Sequence, residues 1–204
     1  MTLRCFIALD IDPALRRACD DARTRLTASD ERLAGEKWVA PENLHVTLSF
    51  VGDVTMGRLE ELIAGLTPVL DRVAPISLSQ PVLTARPSSG CASMIWVALH
   101  DPTGAFTTIA TALHEGVRVF HSINESGAAG KGSPRRHRSL SPHLTLCRFR
   151  RKRGLDPAAL SQTQQVFRGL TNPMSYPRAT LYSSRLAPQG PTYSELFVWH
   201  MRGE

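Results

Sequence analysis

Apolar residues along the chain fall into two kinds of segment that alternate: short unbroken runs of strand length and longer stretches with helical spacing. Arg4-Cys-Phe-Ile-Ala-Leu9 is such a run. It is followed at once by Asp12-Pro13, an N-cap residue with proline in the first helical position. Leu15, Cys19, Ala22 and Leu26 then recur on one helical face. Leu44-His-Val-Thr-Leu-Ser-Phe-Val51, rich in β-branched and aromatic residues, predicts a second strand closed by Gly52-Asp53. A helix from about Thr55 is expected to bury Leu59, Leu62, Ile63, Leu66 and Leu70.

The same order returns in the second half. Met94 to Leu99 predicts a strand, His100-Asp101-Pro102 the turn after it, and Phe106, Ile109, Leu113 and Val117 the buried face of a helix. Phe6-Ile-Ala-Leu-Asp-Ile-Asp-Pro13 and Trp96-Val-Ala-Leu-His-Asp-Pro102 read as related starts of the two halves. Ser122 to Ser139 is polar and rich in helix breakers, which predicts a mobile loop. A strand over Pro142 to Phe149 follows, then a helix capped by Asp156-Pro157 that carries Leu160, Gln164 and Phe167. Strands near Arg178 to Leu186 and Glu195 to Met201 end the chain. This repetition predicts an α+β fold over 1–204, built as two pseudo-symmetric lobes of about 1–90 and 91–204 between which strands can exchange. Each lobe is expected to be a mostly antiparallel sheet covered by helices, with a central cleft between the lobes.

Composition narrows the class. With 204 residues, 42% of them hydrophobic and 21% charged, the chain can bury a sizeable core, and no fibrous or low-complexity pattern interrupts it. No apolar run reaches the roughly 18–20 residues that span a bilayer, and the opening MTLRCFIALDID has no A-x-A cleavage pattern, so a cytoplasmic protein without membrane association is expected. Cys5, Cys19, Cys91 and Cys147 lie far apart with no C-x-x-C, which predicts reduced thiols rather than a disulfide framework or a zinc knuckle. Nine of the 24 Lys and Arg residues fall between Lys131 and Arg153, where no acidic residue occurs; without that run the chain is slightly acidic. The basic balance is therefore local and points to a polyanionic partner at one place, with a solvated loop as the alternative.

His45-Val-Thr-Leu48 and His143-Leu-Thr-Leu146 are nearly the same tetrapeptide, each at the same point of its half. Strand side chains alternate, so His45 and Thr47 share one face and Val46 and Leu48 the other, as do His143 with Thr145 and Leu144 with Leu146. Each lobe then presents an imidazole beside a hydroxyl. Opening a cyclic phosphodiester needs one group to take a proton from water and another to give one to the leaving oxygen, and imidazole can serve in either role near neutral pH. Threonine hydroxyls can bind the non-bridging oxygens. No metal-ligand spacing, P-loop or G-x-S-x-G accompanies the two motifs, so neither metal nor cofactor is expected. His100, His114, His121, His137 and His200 lack this context and read as structural or surface residues. Trp38, Trp96 and Trp199 are expected as core or rim aromatics, with Trp38 also placed to stack on a base.

With these motifs the chain resembles the 2H phosphoesterase superfamily and, within it, the RNA 2′,3′-cyclic phosphodiesterases also called 2′-5′ RNA ligases. The segments carrying the resemblance run from Arg4–Asp10 through Lys37–Asp53, Ile95–Leu99 and Ser141–Arg148 to Gly190–Tyr193. It implies hydrolysis of an RNA 2′,3′-cyclic phosphate end, or a related cyclic nucleotide, to a 2′-phosphate by a metal-independent, monomeric enzyme. His45 would be the proton donor and His143 the acceptor. Ligation of RNA ends by a 2′-5′ bond at the same site and noncatalytic RNA binding are the competing readings. The resemblance also implies a role for Arg148, although strict alternation puts it on the face opposite His143 and Thr145 unless a bulge turns it. Lys131, Arg135, Arg136 and Arg138 are expected to meet phosphates upstream of the reacting end.

Overall fold

The structure, a computed structural model, describes residues 1–123, 141–187 and 190–203. Strand β1 (Thr2–Asp10) is the first apolar run, buried from Cys5 to Leu9. Helix α1 (Pro13–Ser29) begins where Pro13 needs no N–H partner and the Asp12 carboxylate accepts the Ala14 amide at 2.6 Å. It buries Leu15, Ala18, Cys19, Ala22 and Leu26. Two-residue β2 (Lys37–Trp38) precedes β3 (His45–Thr55), helix α2 (Leu59–Leu70), β4 (Ile76–Arg86), β5 (Ala92–His100) and helix α3 (Ala105–Ser122). The later elements are β6 (His143–Arg153), α4 (Pro157–Thr163), β7 (Met174–Tyr176), β8 (Arg178–Ala187) and β9 (Gly190–His200).

Two boundaries differ from the sequence expectation. Gly52 does not close β3: at φ +88° it sits beside a bulge opposite Cys5, and the strand runs on to Thr55. A 3-10 turn over Met56–Arg58 then delays α2 to Leu59. Strand β4 was not expected, because Pro81 interrupts its pattern. The structure accommodates that proline in a break of the β4–β5 ladder between Ser79 and Val82, where Gln80 adopts φ +49°. The Gln164 side chain repairs the break. Its Oε1 accepts the Leu83 amide at 2.6 Å and its Nε2 donates to the Pro81 carbonyl at 2.8 Å.

The strands form two sheets, ordered β3-β1-β8-β9 and β2-β6-β5-β4-β7, with every pairing antiparallel. Neither sheet follows one half of the sequence: β8 and β9 complete the sheet of β1 and β3, whereas β2 and β4 join β5 and β6. The helices are exchanged as well. Helix α3, which follows β5, packs on β3 and on α2, and α2 also touches β9. Helix α1, which follows β1, packs on α4, and its Cys19 and Arg23 line a small cavity with Trp38 and Leu146 of the second sheet. Gly116 allows the close approach of α3 to α2, since a Cβ there would lie 2.7 Å from the Leu66 Cδ2. One continuous apolar core runs through both sheets. Among the described residues no helix is long and apolar enough to cross a membrane.

Candidate active site

Strand β3 is the edge strand beside β1 in one sheet, and β6 lies between β2 and the central strand β5 in the other. His45 and Thr47 are half-buried while Val46 and Leu48 are fully buried; His143, Thr145, Leu144 and Leu146 repeat the pattern. Both strands then bulge at the same residue of the motif. Ile7 and Ala8 pair with Ser49 and Thr47, leaving Leu48 extra, and Ile95 and Trp96 pair with Cys147 and Thr145, leaving Leu146 extra. The bulge puts two consecutive residues into the core, Leu48-Ser49 and Leu146-Cys147, and returns the next residue to the motif face. On β3 that residue is Phe50, 69% exposed; on β6 it is Arg148, also exposed. The opposite-face placement that strict alternation gives Arg148 is thereby overturned. Its charge acts on His45, His143 and Tyr193 together, so it faces the cleft that they share.

The two imidazoles are held alike. His45 Nδ1 lies 2.7 Å from the Asn43 carbonyl and His143 Nδ1 lies 2.9 Å from the Ser141 carbonyl, each two residues back. A carbonyl can only accept, so Nδ1 carries the proton and Nε2 is the nitrogen left to exchange one with a substrate. Asn43 is itself tied down, its Nδ2 donating to the Pro191 carbonyl of β9 at 2.9 Å. Burial pushes both imidazoles below the ordinary histidine range, and the bond to the carbonyl opposes that in each. The two charges also sense one another across the cleft.

The surroundings differ in sign. Asp10 is the cross-strand partner of His45, and its charge favours the imidazolium there. The Asp10 carboxylate accepts hydrogen bonds from the Tyr182 hydroxyl and, at 3.2 Å, from the Thr180 hydroxyl, and Arg178 lies 3.6 Å away. His143 instead has Arg148 and Arg86 near it, and both disfavour its charged form. The ring contacts differ too: Phe6 is tilted 36° against His45 at 4.8 Å and Tyr193 meets it edge-on, whereas Trp96 stacks on His143 at 3.8 Å and 20°. Strand register explains the contrast. The starts that look alike in sequence, Phe6-Ile-Ala-Leu and Trp96-Val-Ala-Leu, are offset by two residues in space. Ala8 and Trp96 face the motif threonines, and Asp10 and Ala98 face the motif histidines.

Other expected residues fall elsewhere. Trp38 packs against the core with its Nε1 donating to the Leu33 carbonyl at 2.8 Å, so its ring serves the fold rather than a base platform. The His121 ring bonds the Val51 carbonyl at 2.8 Å, and His100 and His200 are exposed. Lys131, Arg135, Arg136, His137 and Arg138 lie outside the described residues. Arg153 of the basic run pairs with Glu36 at 2.5 Å, and Glu36 also accepts the Arg150 amide at 2.7 Å, so the end of β6 is anchored by a nearly inaccessible carboxylate. Cys5, Cys19 and Cys147 are buried, with burial first among the causes that raise their thiols to about 11, 12 and 12. Asp10, Asn43, Trp96 and Tyr193 were not singled out as site residues from the sequence; register opposite the two motifs marks Asp10 and Trp96, and contact with His45 marks Asn43 and Tyr193.

Two antiparallel sheets thus carry the paired H-x-T-x strands, and the two motif imidazoles face one cleft. The model of the family described as LigT like Phosphoesterase matches residues 9–88, the segment that includes His45 and Thr47. An Archaeoglobus fulgidus protein named RNA 2′,3′-cyclic phosphodiesterase is 27% identical over 97% of this chain and 99% of its own length. One of the same name from Methanothermobacter thermautotrophicus is 28% identical over 98% of this chain and all of its own. Among solved structures, apo E. coli LigT superposes with a TM-score of 0.68 at 20% identity, over 98% of each chain. A Thermus thermophilus protein gives 0.67 at 23% identity over 99% of this chain and all of its own. These two structures share the α+β fold with its two antiparallel sheets.

Proposed function

We propose that the chain is an RNA 2′,3′-cyclic phosphodiesterase that opens the cyclic phosphate end to a 2′-phosphate and a free 3′-hydroxyl. The observation that carries this reading is the pair of imidazoles fixed alike through Nδ1, their Nε2 atoms left for proton transfer, with Arg148 acting on both. The name shared by relatives that align over nearly the full length supports it. His143, in cationic surroundings, takes a proton from water as the water oxygen attacks phosphorus. The bond from phosphorus to O3′ breaks, and His45, whose imidazolium Asp10 favours, protonates O3′. Thr47, Thr145 and Arg148 bind the non-bridging oxygens, on which negative charge builds in the transition state. The exposed Phe50 ring offers a surface for a base next to the reacting end.

The test is hydrolysis of an oligonucleotide with a 2′,3′-cyclic phosphate by wild type, His45→Ala and His143→Ala. Each variant is expected to lose about 10²–10⁴-fold in turnover while remaining folded, because each lacks one proton-transfer partner. Thr47→Val and Thr145→Val should lose less and mainly raise KM. Wild-type turnover in either histidine variant would overturn the two-histidine reaction.

A further inference from the structure

His143 lies flat on the indole of Trp96, ring centroids 3.8 Å apart and planes 20° from parallel. The guanidinium of Arg86, at the end of β4, sits over the same indole at 5.1 Å from its centroid. The indole N–H is buried and meets no acceptor among the described residues. Buried tryptophans ordinarily find a partner for this group, so what the position uses is the ring face. His45 has no parallel stack of this kind, only the Phe6 ring tilted 36° at 4.8 Å, because the register places Ala8 where β5 places Trp96.

An imidazole tied at Nδ1 alone can still swing about the line of that hydrogen bond, carrying Nε2 through an arc. A second constraint on the ring plane removes this freedom. The stack supplies it for His143, the ring that must accept a proton from water along one direction. Resting on the reading of His143 as the base, we infer that Trp96 is the positioning residue of that base: its indole face fixes the plane of the His143 imidazole so that Nε2 is held on the attacking water. Arg86, held against the same indole, tunes the charge of that ring. Among the described residues, the other charges that interact with His143 are Arg148 on its own strand and His45 across the cleft. None of these charges fixes the ring plane, which is left to the indole.

The experiment compares wild type, Trp96→Leu, Trp96→Phe and Arg86→Gln at a temperature well below each unfolding midpoint. In Trp96→Leu kcat should fall about 10- to 100-fold with KM changed less than about threefold, since a small misplacement of a reacting group costs rate rather than binding. Trp96→Phe, which keeps an aromatic face, should recover most of that loss. Without substrate, the His143 ring protons should show an upfield ring-current shift by NMR that is lost in Trp96→Leu and partly kept in Trp96→Phe. Arg86→Gln should raise the His143 titration midpoint and slow hydrolysis below the pH optimum while leaving it unchanged above. A folded Trp96→Leu with wild-type kcat, or His143 protons without the shift, overturns the inference. The shift is read without turnover, so a wild type that shows it yet leaves cyclic phosphate intact would sink the proposed reaction alone.

Discussion

Replacing Asp10 with asparagine removes the anion opposite His45 but keeps the side-chain shape and an acceptor for the Tyr182 hydroxyl. Cross-strand partners hold their Cβ atoms about 5 Å apart, which separates the two charges by about 6–7 Å. At that range their attraction is about 0.6 kcal/mol in bulk water and about 2.5 kcal/mol at the effective dielectric of a protein surface. Asp10 is 29% exposed and shares its charge with Arg178 at 3.6 Å, so the low end of that range applies, about 1 kcal/mol. This corresponds to about fivefold in the population of the His45 imidazolium. The sign follows from the role. Loss of the anion lowers the His45 pKa further, so less of the proton donor survives as pH rises, and kcat/KM above the optimum should fall about fivefold. Below the optimum, where the rate tracks neutral His143, it should not change. The assay is kcat/KM on a 2′,3′-cyclic-phosphate dinucleotide across about pH 5–9, with Tyr182→Phe as a partial perturbation of the same carboxylate. A loss equal at every pH, or one confined to the acid side, would refute the assignment of Asp10 to the donor histidine.

Arg148→Ala should lower kcat/KM about 10- to 100-fold, the loss expected for one charge-assisted hydrogen bond to phosphate, and Arg148→Lys should recover only part of it because the planar fork is gone. Wild-type kcat/KM in Arg148→Ala would show that the bulge merely exposes the side chain to solvent. Turnover should be the same in EDTA and in added Mg²⁺, since among the described residues no three His, Cys, Asp or Glu side chains converge on one point. Activity lost on chelation and restored by a divalent ion would contradict this.

The parts of the fold that rest on local pattern were legible in the sequence. Alternation around His45 and His143 located the two motif strands, and Asp12-Pro13 and Asp156-Pro157 located the starts of α1 and α4. What escaped depends on distant pairing. Pro81 concealed β4 because nothing nearby in sequence reveals that Gln164 will bond the ladder on either side of it. The entry of β8 and β9 into the sheet of β1 follows from no local signal, since pairing partners that far apart are chosen by the whole core. The candidate site shows the same division. Histidines and threonines could be read directly, and the face of Arg148 was set by a bulge whose only trace is two consecutive core residues. Asp10 and Trp96 became visible only once the register offset between the two halves was seen.

That offset bears on which bond breaks. A cyclic phosphodiester offers two ester oxygens, and a cleft with true twofold symmetry would present interchangeable proton donors to both, expelling O2′ as readily as O3′. Twin histidines and twin threonines therefore cannot choose the regioisomer of the product. In the proposed reaction the choice would fall to the places where the halves disagree: Asp10 against Ala98, Ala8 against Trp96, Phe50 against Arg148. A two-residue slip in strand pairing thus gives a duplicated frame a handedness toward its substrate.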